Sequence, residues 1–148
     1  MAEEQKLEWS EIGRVMVAGE ADGEVLRLSE PLSFYGGLDP MTGRIIDRRH
    51  PEVNELVTDR VLVMPSGRGS SSASSTLCES ARAGTGPAAI IMEAPDEIIA
   101  LGAIVADELY GLLIPVVILA EDAFNDLHTG IRVGVVGQTV SAYSNSCS

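Results

Sequence analysis

Three short aliphatic runs, each followed by a helix-like pattern, constrain this chain more than any other feature. Arg60 to Met64 (RVLVM), Ala88 to Met92 (AAIIM) and Pro115 to Leu119 (PVVIL) read as buried strands. Behind the first, Ala73, Leu77, Ser80 and Ala81 recur at helical spacing, and Gly84 with Pro87 closes the helix. Behind the second, Pro95-Asp96-Glu97 suits a first helical turn. Ile98, Leu101, Val105 and Leu109 then follow three or four apart, with Gly102 read as a point that divides the helix. Behind the third, Ala120 to Thr129 reads as a short helix with Phe124 and Leu127 on one face and Gly130 as its stop. That stop leaves His128 at a helix C-terminus, with no function assigned to it.

The N-terminal part follows a different pattern. Residues 1–11 read as a lead-in pinned by Trp9. Arg14 to Glu20 and Glu24 to Leu28 read as two strands joined at Ala21-Asp22-Gly23, because Asp-Gly suits a tight hairpin turn. Pro31 to Gly43 is a shaped loop rich in Gly and Pro, followed by a short strand over Arg44 to Ile46. Arg132 to Val136 and Gln138 to Tyr143 read as a closing pair of strands. The expected organisation is one α/β domain over 12–143 with some sheet-on-sheet packing, and a tail over 144–148.

Charge narrows the partners. The 148 residues carry 22 acidic and 10 basic side chains, a net charge of -12, and Lys6 is the only lysine. Phosphate backbones repel such a surface, so nucleic acid is not an expected partner. An anionic substrate must be held by individual arginines or by backbone N–H groups. Cys78 and Cys147 form no C-x-x-C or zinc pattern, and with two histidines they assemble no metal site. They are expected to be free thiols in a reducing cytoplasm. Met1 to Glu11 has no secretory character, and the longest apolar run, Gly111 to Ala120, is interrupted by Pro115 and falls short of the roughly 20 residues of a membrane span. A soluble, cytoplasmic protein away from membranes is the expectation.

Two segments carry candidate chemistry. Pro65-Ser66-Gly67-Arg68-Gly69-Ser70-Ser71-Ser72 follows a strand and enters a helix N-terminus, where free N–H groups and a positive dipole favour an anion. Gly67 and Gly69 permit close backbone approach, and Arg68 offers a planar cationic fork for carboxylate or phosphate. Ser70 to Ser72 serve as helix caps, as ligand contacts or as a reacting group. The segment is neither a Walker A loop nor a G-x-S-x-G elbow, since it lacks the lysine and holds arginine where that serine would stand. The second segment runs from Phe34-Tyr35-Gly36-Gly37-Leu38-Asp39-Pro40-Met41-Thr42-Gly43 to His50-Pro51. Its glycines, Asp39, Thr42 and His50 either shape a pocket wall or are ordinary turn residues.

Three blocks in order, SFYGGLDPMTGRIIDRRHP, RVLVMPSGRGSSSAS and GPAAIIMEAPDEIIALGAIVADELYGLLIPVV, resemble the small subunit of aconitase X over roughly Gly13 to Val140. The resemblance implies a swivelling β/β/α domain like the fourth domain of aconitase. It also implies a large partner subunit that ligates an iron–sulfur cluster on its own cysteines. The implied activity is dehydration of a hydroxy acid, either cis-3-hydroxy-L-proline or 5-phosphomevalonate, with a non-catalytic binding or assembly role as the alternative. The aconitase loop Gly-Ser-Ser-Arg is matched at Gly69-Ser70-Ser71 and departs at Ser72, arginine instead preceding the pair at Arg68. Carried over residue by residue, Ser70 is the proton-abstracting base, Ser71 its alternative, and Arg68 the anion holder. Gly69, Gly36, Gly37, Asp39, Thr42 and His50 join them as substrate-binding candidates. The low count of basic residues tilts the expected substrate toward cis-3-hydroxy-L-proline.

Overall fold

The computed structural model describes residues 5–68 and 72–145. In chain order the elements are β1 (Gln5–Ile12), β2 (Arg14–Val17), β3 (Glu20–Arg27), α1 (Phe34–Gly37), β4 (Leu38–Asp39), β5 (Arg44–Ile45), β6 (Val61–Met64), α2 (Ser72–Ala83), β7 (Ala89–Met92), α3 (Glu97–Tyr110), β8 (Val116–Ile118), α4 (Glu121–Asn125), β9 (Arg132–Val136) and β10 (Thr139–Asn145).

Eight strands hydrogen-bond in the order β1-β10-β9-β3-β6-β7-β8-β2. The strands β3, β6, β7 and β8 run parallel, whereas β2 adds antiparallel to β8 and the pairs β3–β9, β9–β10 and β10–β1 are antiparallel. The layers follow from β3, which is shared: Glu20 to Glu24 pair with β9, and Val25 to Arg27 pair with β6. The strand therefore passes from one sheet layer into the next, and the antiparallel strands fold over one face of the parallel ones. Between the two sheets lie Val25, Val61, Val63, Ile91, Val117, Val133, Val135 and Val140. On the other face, Leu26, Leu62, Met64, Ile90 and Met92 pack against Leu77 and Ala81 of α2 and Ile99 and Ala103 of α3. All four residues of β6 and of β7 are buried, as their unbroken aliphatic runs predict for strands covered on both faces. The outcome is the β/β/α architecture, and the elements read in the three strand–helix units stand at or close to their expected places.

Five local expectations are corrected. Ala21-Asp22-Gly23 is not a turn: β3 continues straight through it, and β2 pairs with β8 rather than with β3. Gly23 is required there because a Cβ would stand 2.7 Å from the carbonyl oxygen of Asp59, so the glycine serves close approach, not reversal. Most of the expected lead-in, Gln5 onward, is strand β1 pairing along β10, with Trp9 partly buried against the inter-sheet core. Strand β10 correspondingly runs on to Asn145.

Helix α3 is undivided at Gly102. A Cβ at that position would meet the Ser74 carbonyl at 2.8 Å and the Ser74 Cα at 3.0 Å, so Gly102 lets α2 and α3 pack backbone to backbone. The face of α3 turned inward is Ile99, Ala100, Gly102, Ala103 and Ala106. Small residues suit that close crossing, and the larger Leu101 and Leu109 face outward instead. Finally, α4 ends at Asn125, short of Gly130, which leaves His128 beyond the helix, although Phe124 and Leu127 are buried as expected.

Candidate active site

The parallel strands set the position of the serine-rich loop. Loops at the carboxyl ends of parallel strands form the usual binding crevice of an α/β sheet. Here that edge carries Pro65 to Arg68 after β6, Glu93 to Asp96 after β7, and the Ser29 to Ser33 connection after β3. The three are tied together. The Pro65 carbonyl accepts from the backbone N–H groups of Glu93 (3.2 Å) and Ala94 (3.0 Å). Gly67 forms a parallel bridge with Leu32. On its other side a Cβ at Gly67 would meet Asp96 Oδ2 at 2.1 Å and Ile99 Cδ1 at 2.6 Å. Asp96 in turn caps α3, its Oδ1 accepting from Ile98 N (2.9 Å) and Ile99 N (3.1 Å).

Arg68 leaves this clamp exposed. Among the described residues no carboxylate forms an ion pair with it; Arg60, Arg82 and Arg132 have acidic partners, whereas Arg14, Arg48 and Arg49, like Arg68, have none there. Four residues later α2 begins at Ser72 and runs twelve residues. Its first N–H groups have no partner within the helix, and its dipole is positive at the loop. Ser70, Ser71 and Gly69, singled out from sequence, lie outside the described residues.

The second sequence block divides. Gly37 lies near the loop, since its Cβ position is 3.0 Å from Leu32 Cδ1 and Leu32 pairs with Gly67. Gly36 adopts φ 80 with open space around it, beside Tyr35, which is 63% exposed. Asp39 and Thr42 go elsewhere. Asp39 Oδ1 accepts from Met41 N (2.9 Å) and Thr42 Oγ1 from Arg44 N (3.3 Å), both within the β4–β5 hairpin. The tip of that hairpin docks beyond the C-terminus of α2, where Thr85 Oγ1 donates to the Pro40 carbonyl at 2.6 Å. A helix of this length spans about 18 Å, so the structure does not bring Asp39 and Thr42 to Arg68. Both make turn hydrogen bonds within the hairpin.

His50 is buried, and both ring nitrogens are used. Nε2 sits 3.1 Å from the Glu30 carbonyl, and the Glu52 backbone N–H donates to Nδ1 at 3.1 Å. That pairing selects the tautomer with hydrogen on Nε2. Glu52 extends the clamp by accepting from the Ser29 N–H and hydroxyl. His50 thus fastens the loop after β3 and has no nitrogen left for a substrate.

Sequence reasoning identified Asp96 as a helix start and missed its second role, as the wall against which Gly67 closes. The acidic residue after Pro95 announces the cap; nothing in the sequence announces what sits against it.

Known proteins with this sequence pattern fall in one family under several names. A family model for the aconitase X swivel domain matches residues 11–142. A cis-3-hydroxy-L-proline dehydratase of Hypocrea jecorina is 43% identical over 129 residues, 87% of this chain but 22% of that protein. The corresponding dehydratase of Pseudomonas aeruginosa is 48% identical over 110 residues, 74% of this chain and 19% of that one. This chain therefore spans about a fifth of the length of those two relatives. A phosphomevalonate dehydratase small subunit of Pyrococcus furiosus is 40% identical over 126 residues, covering 85% of this chain and 88% of that subunit. Among solved structures, the holo-form of Thermococcus kodakaraensis aconitase X superposes with a TM-score of 0.80 at 33% identity, over 90% of this chain and 97% of the other.

Proposed function

This chain belongs to the aconitase X swivel-domain family, and we propose that it is the small subunit of a two-chain hydro-lyase that dehydrates a hydroxy acid. The observation that carries the reading is the clamped start of the 65–72 loop. Pro65 is tied to the backbone of Glu93 and Ala94, Gly67 is fixed between Leu32 and Asp96, Arg68 is exposed without an acidic partner among the described residues, and an α-helix N-terminus lies directly behind.

In this reading Arg68 pairs with the substrate carboxylate through its guanidinium fork. Ser70 acts as the base at the carbon next to that carboxylate. Its hydroxyl must first be an alkoxide, and the α2 N-terminus, the loop N–H groups and Arg68 are the groups that stabilise that charge in a site closed to water. The C–H bond breaks toward Ser70, its electron pair forms the new double bond, and the hydroxyl departs from the neighbouring carbon as hydroxide, which the proton now on Ser70 converts to water as the alkoxide is restored. Among the described residues no three His, Cys, Asp or Glu side chains come together as a ligand set. The reading assigns the cluster to the large subunit, where it would supply Lewis acidity.

The low count of basic residues, with Lys6 the only lysine, favours cis-3-hydroxy-L-proline over a phosphorylated substrate. A second reading, 5-phosphomevalonate, is favoured by the match to 88% of the Pyrococcus furiosus small subunit. The test is to co-express this chain with its large subunit and assay both compounds. Dehydration of one, absent from either chain alone, is the expected result. A stable pair inert toward both would return the chain to a binding or assembly role, and absence of any pair would remove the two-chain reading.

A further inference from the structure

The outer surface of the helical layer is apolar where the rest of the molecule is acidic. Leu101 is 50% exposed, Ile104 45% and Leu109 64%. Between Ile98 and Ala120 the only charged residues are Asp107 and Glu108, in a chain of net charge -12. Leu101, Val105 and Leu109 of α3 face Ser74, Ser75 and Cys78 of α2 across an open groove of about 280 Å³. Gly102 is what allows the groove to form, because its contact with Ser74 sets the two helices side by side.

The position of the groove is informative. The helices run in the same direction, so Ser74 and Leu101 lie together at the end where the serine–arginine loop arrives, and Leu109 lies two turns further away. Ser74 is only two residues into α2. A polypeptide seated along Leu101 to Leu109 would reach the loop without a gap.

We propose that this α2–α3 groove is the surface on which the large subunit docks. The assignment rests on the two-chain reading above. The occupant follows from the relatives: this domain is 22% and 19% of the two cis-3-hydroxy-L-proline dehydratase chains, and a small subunit in Pyrococcus furiosus. A much larger body of the same enzyme must therefore seat beside the loop, whether covalently joined or not. The α3 wall of the groove is aliphatic, and the α2 wall carries Ser74, Ser75 and the Glu79 of the Glu79–Arg82 ion pair, a mix of apolar and polar groups that suits an interface. The antiparallel sheet also exposes Leu7, Ile12 and Val136, but its broad cavity is lined by Glu20, Asp22 and Arg132, with Asp22 and Arg132 ion-paired, and so is more polar than the aliphatic α3 wall of the groove.

The experiment uses full-length chain and large subunit, comparing wild type, the double variant L101D/L109D and V136D. Val136 is 59% exposed on β9, away from the groove. The double variant is expected to melt within about 2 °C of wild type, since exposed substitutions perturb folding little. It should bind the large subunit at least a hundredfold more weakly, while V136D binds normally. Undiminished binding by the folded double variant overturns the assignment alone; no binding by wild type overturns the two-chain reading beneath it. Concentration-dependent self-association of the isolated chain, abolished in L101D/L109D, with large-subunit binding unchanged, would assign the groove to a second copy and also overturn it. A measurement on wild type guards against misfolding of the variant. Hydroxyl-radical labelling of the exposed Leu101 and Leu109 should fall when the large subunit is added, and unchanged labelling would count against the proposal.

Discussion

Gly67 and Asp96 are in contact so close that a single methyl group on the glycine would stand 2.1 Å from the aspartate oxygen. The contact joins the end of the β6 connection to the cap of α3, so the candidate active-site loop and the second crossover helix are positioned by the same residue. Gly67→Ala forces either the cap or the loop to move. Overpacking of this kind costs about 1–3 kcal/mol, and removing the cap alone as Asp96→Ala costs about 1 kcal/mol. Because Asp96→Ala also removes the atom in the way, the double variant should be more stable than the two single losses added together. Chemical denaturation of the four proteins gives that coupling directly; strict additivity would show that the contact is absent.

Arg68 should separate binding from folding. The side chain is exposed and no acidic partner engages it among the described residues. Arg68→Ala in the assembled enzyme is expected to leave the melting temperature unchanged and to raise KM by about one to two orders of magnitude, the loss of one charge-assisted pair. Arg68→Lys should recover only part of the loss, because a lysine cannot reproduce the fork. Steady-state kinetics with an unaltered KM for Arg68→Ala would remove Arg68 from the site.

His50 should behave in the opposite way. Its two hydrogen bonds hold the Glu30 and Glu52 backbone in a buried position. His50→Ala leaves both groups without partners, at a cost of about 1–3 kcal/mol. The folded fraction should keep its KM. A KM change without a stability change would return His50 to the substrate site.

Burial pushes the Cys78 thiol up from its ordinary range, with the neighbouring Glu79 carboxylate adding to the shift. The folded chain therefore keeps this proton longer than the unfolded chain does. Any contribution to stability is constant below the ordinary thiol range and declines as pH rises through it, since the unfolded state ionises first. Alkylation of Cys78, followed by peptide mapping, should be slow at neutral pH and should accelerate at a higher pH than for an exposed cysteine. Rapid labelling at pH 7 would contradict the burial.

Much of this fold is legible in the chain, and the misreadings share a cause. Val61 to Met64 and Ala89 to Met92 announce themselves because strands buried on both faces need unbroken aliphatic runs. Asp22-Gly23 misleads because the same dipeptide serves a tight turn and a close crossing, and only the carbonyl of Asp59, far along the chain, decides which. Gly102 misleads for the same reason. The apolar stripe read on α3 divides: Ile98 and Val105 pack against the core, whereas Leu101 and Leu109 are exposed. Helical periodicity locates a face without saying whether the core or another surface covers it, and here small residues turn inward at a close helix crossing. At the site, the order of blocks identifies the loop. The distance from Asp39 and Thr42 to Arg68 is invisible, because sequence does not show that the hairpin docks at the far end of α2.

Substituting Ser70 by alanine in the purified two-chain enzyme tests the central claim most directly. The account predicts that kcat for dehydration falls by at least about a thousandfold, the scale of a lost catalytic base, with the complex and KM largely retained. Wild-type turnover by an intact Ser70→Ala complex would contradict it.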